Sequence, residues 1–190
     1  MPGRRLSRHP RPPRSQPRLR HAQARRFPRG AGELEGVRAG VTRAARLARL
    51  EAEGEIRRLL SRYPFALDDR DMAALAGLFS DDARLRWSDG QEATGVDAVM
   101  ASYRSQLGFL GVCGHYMHQW LIEALDAGSG IARGRLRAHA EVEMRGRTRI
   151  IGLVYEDTYR RTADGWRIAE RFIDLRYNLP VARLAEQRTP

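Results

Sequence analysis

Lysine is missing from this chain altogether: all 34 basic residues are arginine, a bias that reads more readily as GC-rich coding than as a function. Cysteine is nearly missing too. The single Cys113 excludes an intrachain disulfide and fits a reducing compartment, so a cytoplasmic protein is expected. No stretch approaches the ~18 consecutive apolar residues of a membrane span. A twin arginine, Arg4 and Arg5, is followed by no apolar run of signal-peptide length. Neither membrane insertion nor secretion is expected.

What is present is unevenly spread. Residues 1–40 hold eleven arginines against Glu33 and Glu35, a balance of +9 out of the chain's +11, so the remaining 150 residues carry only +2. Six of the nine prolines also precede residue 30. Such a segment can neither propagate a helix nor bury an apolar face, and a disordered Arg/Pro-rich tail is expected over residues 1–40. An arginine-rich arm can neutralise nucleic-acid phosphates, but Phe27 is its one aromatic for stacking on bases, so nucleic acid is not the expected partner. Val41 followed by Thr42 also sits where an alternative start would put the first folded residues.

From Val41 the spacing becomes helical, with Leu47, Leu50, Ile56, Leu59, Leu60 and Tyr63 at threes and fours. Pro64 removes an amide donor and is expected to loosen the last turn. Asp71 stands before MAALAGLF as a helix cap. Asp81 and Asp82 read as solvated turn residues. ARLRW is an alternating strand with Trp87 inward, residues 96–107 are a third helix, LGFLGVCG a loop, and HYMHQWLIEAL a strand. Three more alternating runs follow, divided by RGR and ADG turns. Helices first and then a meander of long antiparallel strands is α+β. A strongly curved sheet around a helix leaves a cone-shaped cavity for a small ligand.

Three blocks, EIRRLLSRYPFALDDRDMAALAGLFSDDA, GHYMHQWLIE and YEDTYRRTADGWRIAERF, resemble the SnoaL-like branch of the nuclear transport factor 2-like superfamily over roughly residues 45–180. That branch includes polyketide cyclases, scytalone dehydratase, bile-acid dehydratase and ketosteroid isomerases. The resemblance implies a cystatin-like α+β barrel for residues 41–190 and a cofactor-independent, metal-free dehydratase or isomerase acting on a hydrophobic carbonyl compound. It also implies that Asp68 is the pocket carboxylate, with Asp69 and Asp71 outward, and that His115 is its partner. Imidazole has the pKa a base near neutral pH needs, and Asp68 would fix its tautomer. Tyr63, on the apolar stripe, could donate to a substrate oxygen. Trp87 and His118 are the expected substrate contacts.

Two departures leave another class open. Trp87 stands where the dehydratases tend to carry a tyrosine, and Ala140 where the bile-acid enzyme has a second acid, with no replacement among Leu136, Ala138, Val142 and Met144. A non-catalytic ligand-binding module, or the small subunit of a ring-hydroxylating dioxygenase, is the alternative. His118 completes HxxH with His115, but residues three apart on a strand point to opposite faces, which argues against a shared metal. His139 falls on a charged outer face. A homodimer or homotrimer is expected through the open sheet face, where Trp120, Ile150 and Phe172 are interleaved with arginines.

Overall fold

The computed structural model of the protein describes residues 42–181. The tail expected over residues 1–40 lies outside the described residues. Thr42 opens the first helix by accepting from the amide of Ala45, as a side-chain oxygen does at an N-cap. That helix, α1, spans Arg43–Asp68 and continues through Pro64 for a further turn. Its buried stripe is Ile56, Leu59, Leu60, Tyr63 and Leu67, whereas Leu47 and Leu50 are exposed. The apolar spacing therefore extends further toward the N-terminus than the packing does.

A short helix α2 (Met72–Ala76) follows, and its cap is the expected one: the Asp71 carboxylate accepts from the amide of Ala74 at 2.9 Å. Replacing Asp71 by alanine is expected to lower stability by about 1 kcal/mol in chemical denaturation. Then come β1 (Phe79–Trp87), β2 (Glu92–Thr94) and α3 (Val96–Leu107). Asp81 and Asp82 belong to β1 rather than to a turn, and Asp82 pairs with Arg160 across the sheet at 3.0 Å.

The rest is strand: β3 (Leu110–Asp126), β4 (Ile131–Met144), β5 (Arg147–Thr162) and β6 (Gly165–Pro180). The segment expected to be a loop before His115 is already strand from Leu110. Six strands form one curved, unclosed sheet in the order β2-β1-β6-β5-β4-β3. The expected antiparallel meander holds from β3 to β6, but β1 lies parallel to β6, with Phe79 against Ile168 and Trp87 against Ile173. A parallel neighbour needs a long crossover, here everything from β2 to β5. α1 packs on β3 and β6, and α3 on β1, so both long helices close the concave side. No described helix is long and apolar enough to cross a membrane.

One irregularity decides which β3 side chains face the helices. Met117 pairs with Ala138 and Trp120 with Leu136, so two residues of β3 oppose one of β4. This is a bulge, and it reverses the alternation beyond it. Trp120 consequently packs on the core beneath the Arg57 guanidinium, 4.5 Å from its ring centre, and not on the open face. Ile150 and Phe172 stay outside the buried core, as expected.

Candidate functional site

The end of α1 explains why the first aspartate of the run DDRD turns inward. Arg70 adopts φ 57°, its amide donates to Leu67 O, and the Asp71 amide donates to Ala66 O. These two bonds make a Schellman termination, which leaves Asp68 as the last helical residue. Arg70 adds a clamp: its Nη2 donates to the carbonyls of Leu110 at 2.6 Å and Gly111 at 2.9 Å, tying the helix end to the start of β3. Asp69 and Asp71 are exposed.

Asp68 then meets His115 twice. Its Oδ2 accepts from the His115 amide at 2.7 Å and its Oδ1 lies 2.6 Å from the His115 Nδ1. Burial raises the Asp68 pKa, but the side-chain and backbone hydrogen bonds from His115 outweigh it and hold the carboxyl below its usual range. A carboxylate can only accept, so Nδ1 carries the proton and, in the neutral imidazole, Nε2 holds the lone pair. A depressed folded-state pKa contributes stability that is complete above the unfolded value, about 3.9, and is lost as pH falls through the folded value. The stability difference between the wild type and Asp68→Asn should therefore hold above about pH 4 and shrink as pH falls below it in urea unfolding.

His115 opens into a cavity of about 500 Å³ whose wall is chiefly apolar, with Leu107, Val142, Ile151 and Leu153 among its residues. Tyr63, Tyr103 and Tyr155 line it, and so does Trp87. Ala140, opposite His115 on β4, also lines it. The Tyr63 hydroxyl donates to that of Tyr103 at 3.2 Å. Burial pushes the Tyr103 and Tyr155 hydroxyls well above the usual phenol value, so both are neutral donors. The Tyr63–Tyr103 pair has two protons and one mutual bond, which leaves one proton for a ligand.

Behind these rings lies an ion pair that the sequence reading did not single out. Arg171, with no exposed surface, donates Nε to Asp157 Oδ1 at 2.8 Å and Nη2 to Oδ2 at 2.7 Å. Its guanidinium sits 4.2 Å from the Tyr63 ring centre and 4.6 Å from that of Tyr155. Burial disfavours the charge, but Asp157 more than compensates and keeps Arg171 a cation. Its Nη1 has no hydrogen-bond acceptor among the described residues, and the ring faces supply what attraction it finds there. The signal was strand parity: Asp157 shares a face with Leu153 and Tyr155, and Arg171 with Ile173. Tyr103 was likewise in phase with Val99 and Leu107 on α3.

The structure brings Asp68, His115, Tyr63 and Trp87 to one place but not His118. That side chain is exposed outside the cavity, its Nε2 2.6 Å from His139 Nδ1, with His139 stacked between it and Tyr116. His118, expected as a substrate contact, is thus not among the residues that line this cavity. Cys113 is near the dyad: its thiol and the ligating atoms of Asp68 and His115 lie within 4.8 Å of one another. Burial, and then the Asp68 charge, push the thiol up to about 11. Asp68 and the Nδ1 of His115 are engaged with each other, and the thiol is neutral near pH 7, so the trio is a poor match to a metal that needs a thiolate.

A family model described as the SnoaL-like domain matches residues 48–172. The chain belongs to the SnoaL-like domain family. Solved structures similar to this SnoaL-like chain include a hexachlorocyclohexane dehydrochlorinase, LinA-type3, from Novosphingobium barchaimii LL02, at 20% identity, 73% of this chain, 96% of that one and a TM-score of 0.67. A candidate scytalone dehydratase from Novosphingobium aromaticivorans is also 20% identical, over 72% of this chain and 92% of that one, with a TM-score of 0.65. An NTF2-like protein with a cystatin-like fold, also from N. aromaticivorans, is 28% identical over 70% and 87%, with a TM-score of 0.57. Comparison with curated proteins returned no match. The cystatin-like α+β fold expected from the SnoaL-like resemblance is the one found.

Proposed function

We propose that the protein is a cofactor-independent lyase or isomerase of the cytoplasm that removes a proton from carbon next to the carbonyl of an apolar small molecule. The observation that carries this reading is the Asp68–His115 pair, set so that Nδ1 is held by the carboxylate while the imidazole lines an apolar cavity. His115 Nε2 takes the proton, the C–H electron pair moves onto the carbonyl oxygen, and the free proton of the Tyr63–Tyr103 pair stabilises the enolate. The electron pair then returns. In a dehydratase it expels a neighbouring hydroxyl, which leaves as water with the imidazolium proton; in an isomerase another carbon takes that proton. Support comes from structural neighbours named for elimination reactions, the dehydrochlorinase and the candidate dehydratase.

Ala140 favours the second reading, a binding module or oxygenase small subunit, because it puts a methyl group rather than a second acid opposite His115. Deuterium uptake separates the two. A panel of fused-ring ketones incubated in D2O with the protein is expected to gain deuterium next to the carbonyl, read by mass spectrometry, and His115→Gln should abolish the gain. Ketones that raise the melting temperature yet exchange no faster than in buffer would identify a binding module instead. We also propose a homodimer or homotrimer through the outer sheet face; light scattering at micromolar concentration returning one chain mass would overturn it.

A further inference from the structure

At the mouth of the cavity the chain carries a charge that the fold does not require. β4 and β5 are joined by Arg145 and Gly146, with Met144 paired to Arg147, and both turn residues have positive φ, 53° and 71°. A two-residue turn of this kind favours asparagine, aspartate or glycine at its first position, where a longer side chain is strained. Arginine stands there instead. Arg145 is among the residues that line the cavity while staying exposed to solvent, and it makes no ion pair among the described residues.

Asn178 reinforces the same polarity. It lines the cavity two residues from the end of β6, and Arg149 donates Nε to its Oδ1. The amide oxygen is thus engaged, and the two N–H groups of its nitrogen remain for a ligand. No carboxylate contributes to the wall, since Asp68 sits behind His115. A guanidinium and an amide donor with no anion to answer them, beside a chiefly apolar cavity, specify the complement.

We propose that the ligand of this cavity is an anion: an apolar fused-ring body with its reacting carbon at His115 and an anionic oxygen group, carboxylate or phosphate monoester, held by Arg145 with Asn178 beside it. Ala140 marks His115 on β4, and Arg145 follows the strand's last residue, Met144, which lies about 13 Å further along. Even with the arginine reaching inward, the two ends of the ligand are separated by more than a single ring. The inference rests on the cavity being the ligand site, as in the proposed function, but not on the chemistry done there.

The test is binding by isothermal titration calorimetry of three probes that share one ring system: 2-naphthoate, 2-naphthyl phosphate and the neutral 2-naphthamide. At least one of the anions is expected to bind ten times more tightly than the amide or better, and which one does identifies the anionic group. Arg145→Asn suits the turn, so its melting temperature should hold or rise, while the anion preference should fall to within twofold. Arg145→Lys should keep most of it. His115→Gln should keep it too, so loss of deuterium exchange and loss of anion preference are separate results. Equal affinities for all three probes, no binding at millimolar concentration, or a preference that survives Arg145→Asn would each overturn the assignment.

Discussion

Asp157→Ala is expected to cost about 3–5 kcal/mol of stability, the largest loss of any single substitution discussed for this chain. The carboxylate it removes is almost fully buried and accepts three side-chain bonds, two from Arg171 and one from the Tyr159 hydroxyl at 2.8 Å. Arginine does not shed its proton in proteins. The variant must therefore bury an uncompensated guanidinium, move it to water through a packed sheet, or unfold. The double variant Asp157→Leu with Arg171→Met should recover much of the loss, because the penalty comes from the orphaned charge and not from the absence of a pair. Urea unfolding of the three proteins decides it. A loss under about 1 kcal/mol for Asp157→Ala would mean that the guanidinium finds water the structure does not show.

Asp68→Asn is expected to slow the deuterium exchange of a responsive ketone by about 10²–10⁴ while the variant stays folded. The size follows from the two bonds at this carboxylate. The His115 amide is a fixed donor facing Oδ2, so the single oxygen of an asparagine must stay there. Its NH2 then faces Nδ1, which must become an acceptor, and the imidazole proton is driven to Nε2, where the base lone pair was needed. Asp68→Ala imposes no tautomer and should be no slower than Asp68→Asn. Nitrogen NMR of His115 should show the proton exchanged between the two ring positions in the asparagine variant alone. Wild-type exchange rates in Asp68→Asn would remove Asp68 from the mechanism.

The elements that could be read from the sequence are those whose signal is local. The helical spacing of Ile56, Leu59 and Tyr63, the cap at Asp71 and the strand alternation of β4 to β6 are each set by neighbours in the chain, and all reappear in the structure. Trp120 was assigned to the wrong face because parity counted from His115 has no means of registering an extra residue between Met117 and the next pair. The parallel seam of β1 and β6 was hidden for a similar reason, since it joins segments from opposite ends of the fold. In the site, Asp68 and His115 came from a resemblance and not from spacing. Their closeness depends on the Schellman turn at Arg70, and arginine gives no warning of a left-handed backbone. Asp157 and Arg171 were legible through parity alone, had opposite charges on adjacent inward positions been weighed.

The parallel seam also sets an order of events during synthesis. The hairpins β3–β4, β4–β5 and β5–β6 join neighbours and can close within microseconds of emerging. β1 has only the three-residue β2 to pair with until the last strand of the fold has left the ribosome. Until then the apolar stripe of α1 lacks part of its docking surface, because β6 is one of the strands it packs on. The first third of the domain is thus translated long before it can be buried, and the seam must close over a large sequence separation, which slows folding. A nascent chain stalled before Gly165 would hold a finished β3–β5 sheet beside a β1 paired only with β2, its other edge open, in a state whose natural remedies are a chaperone or the β1 of another chain.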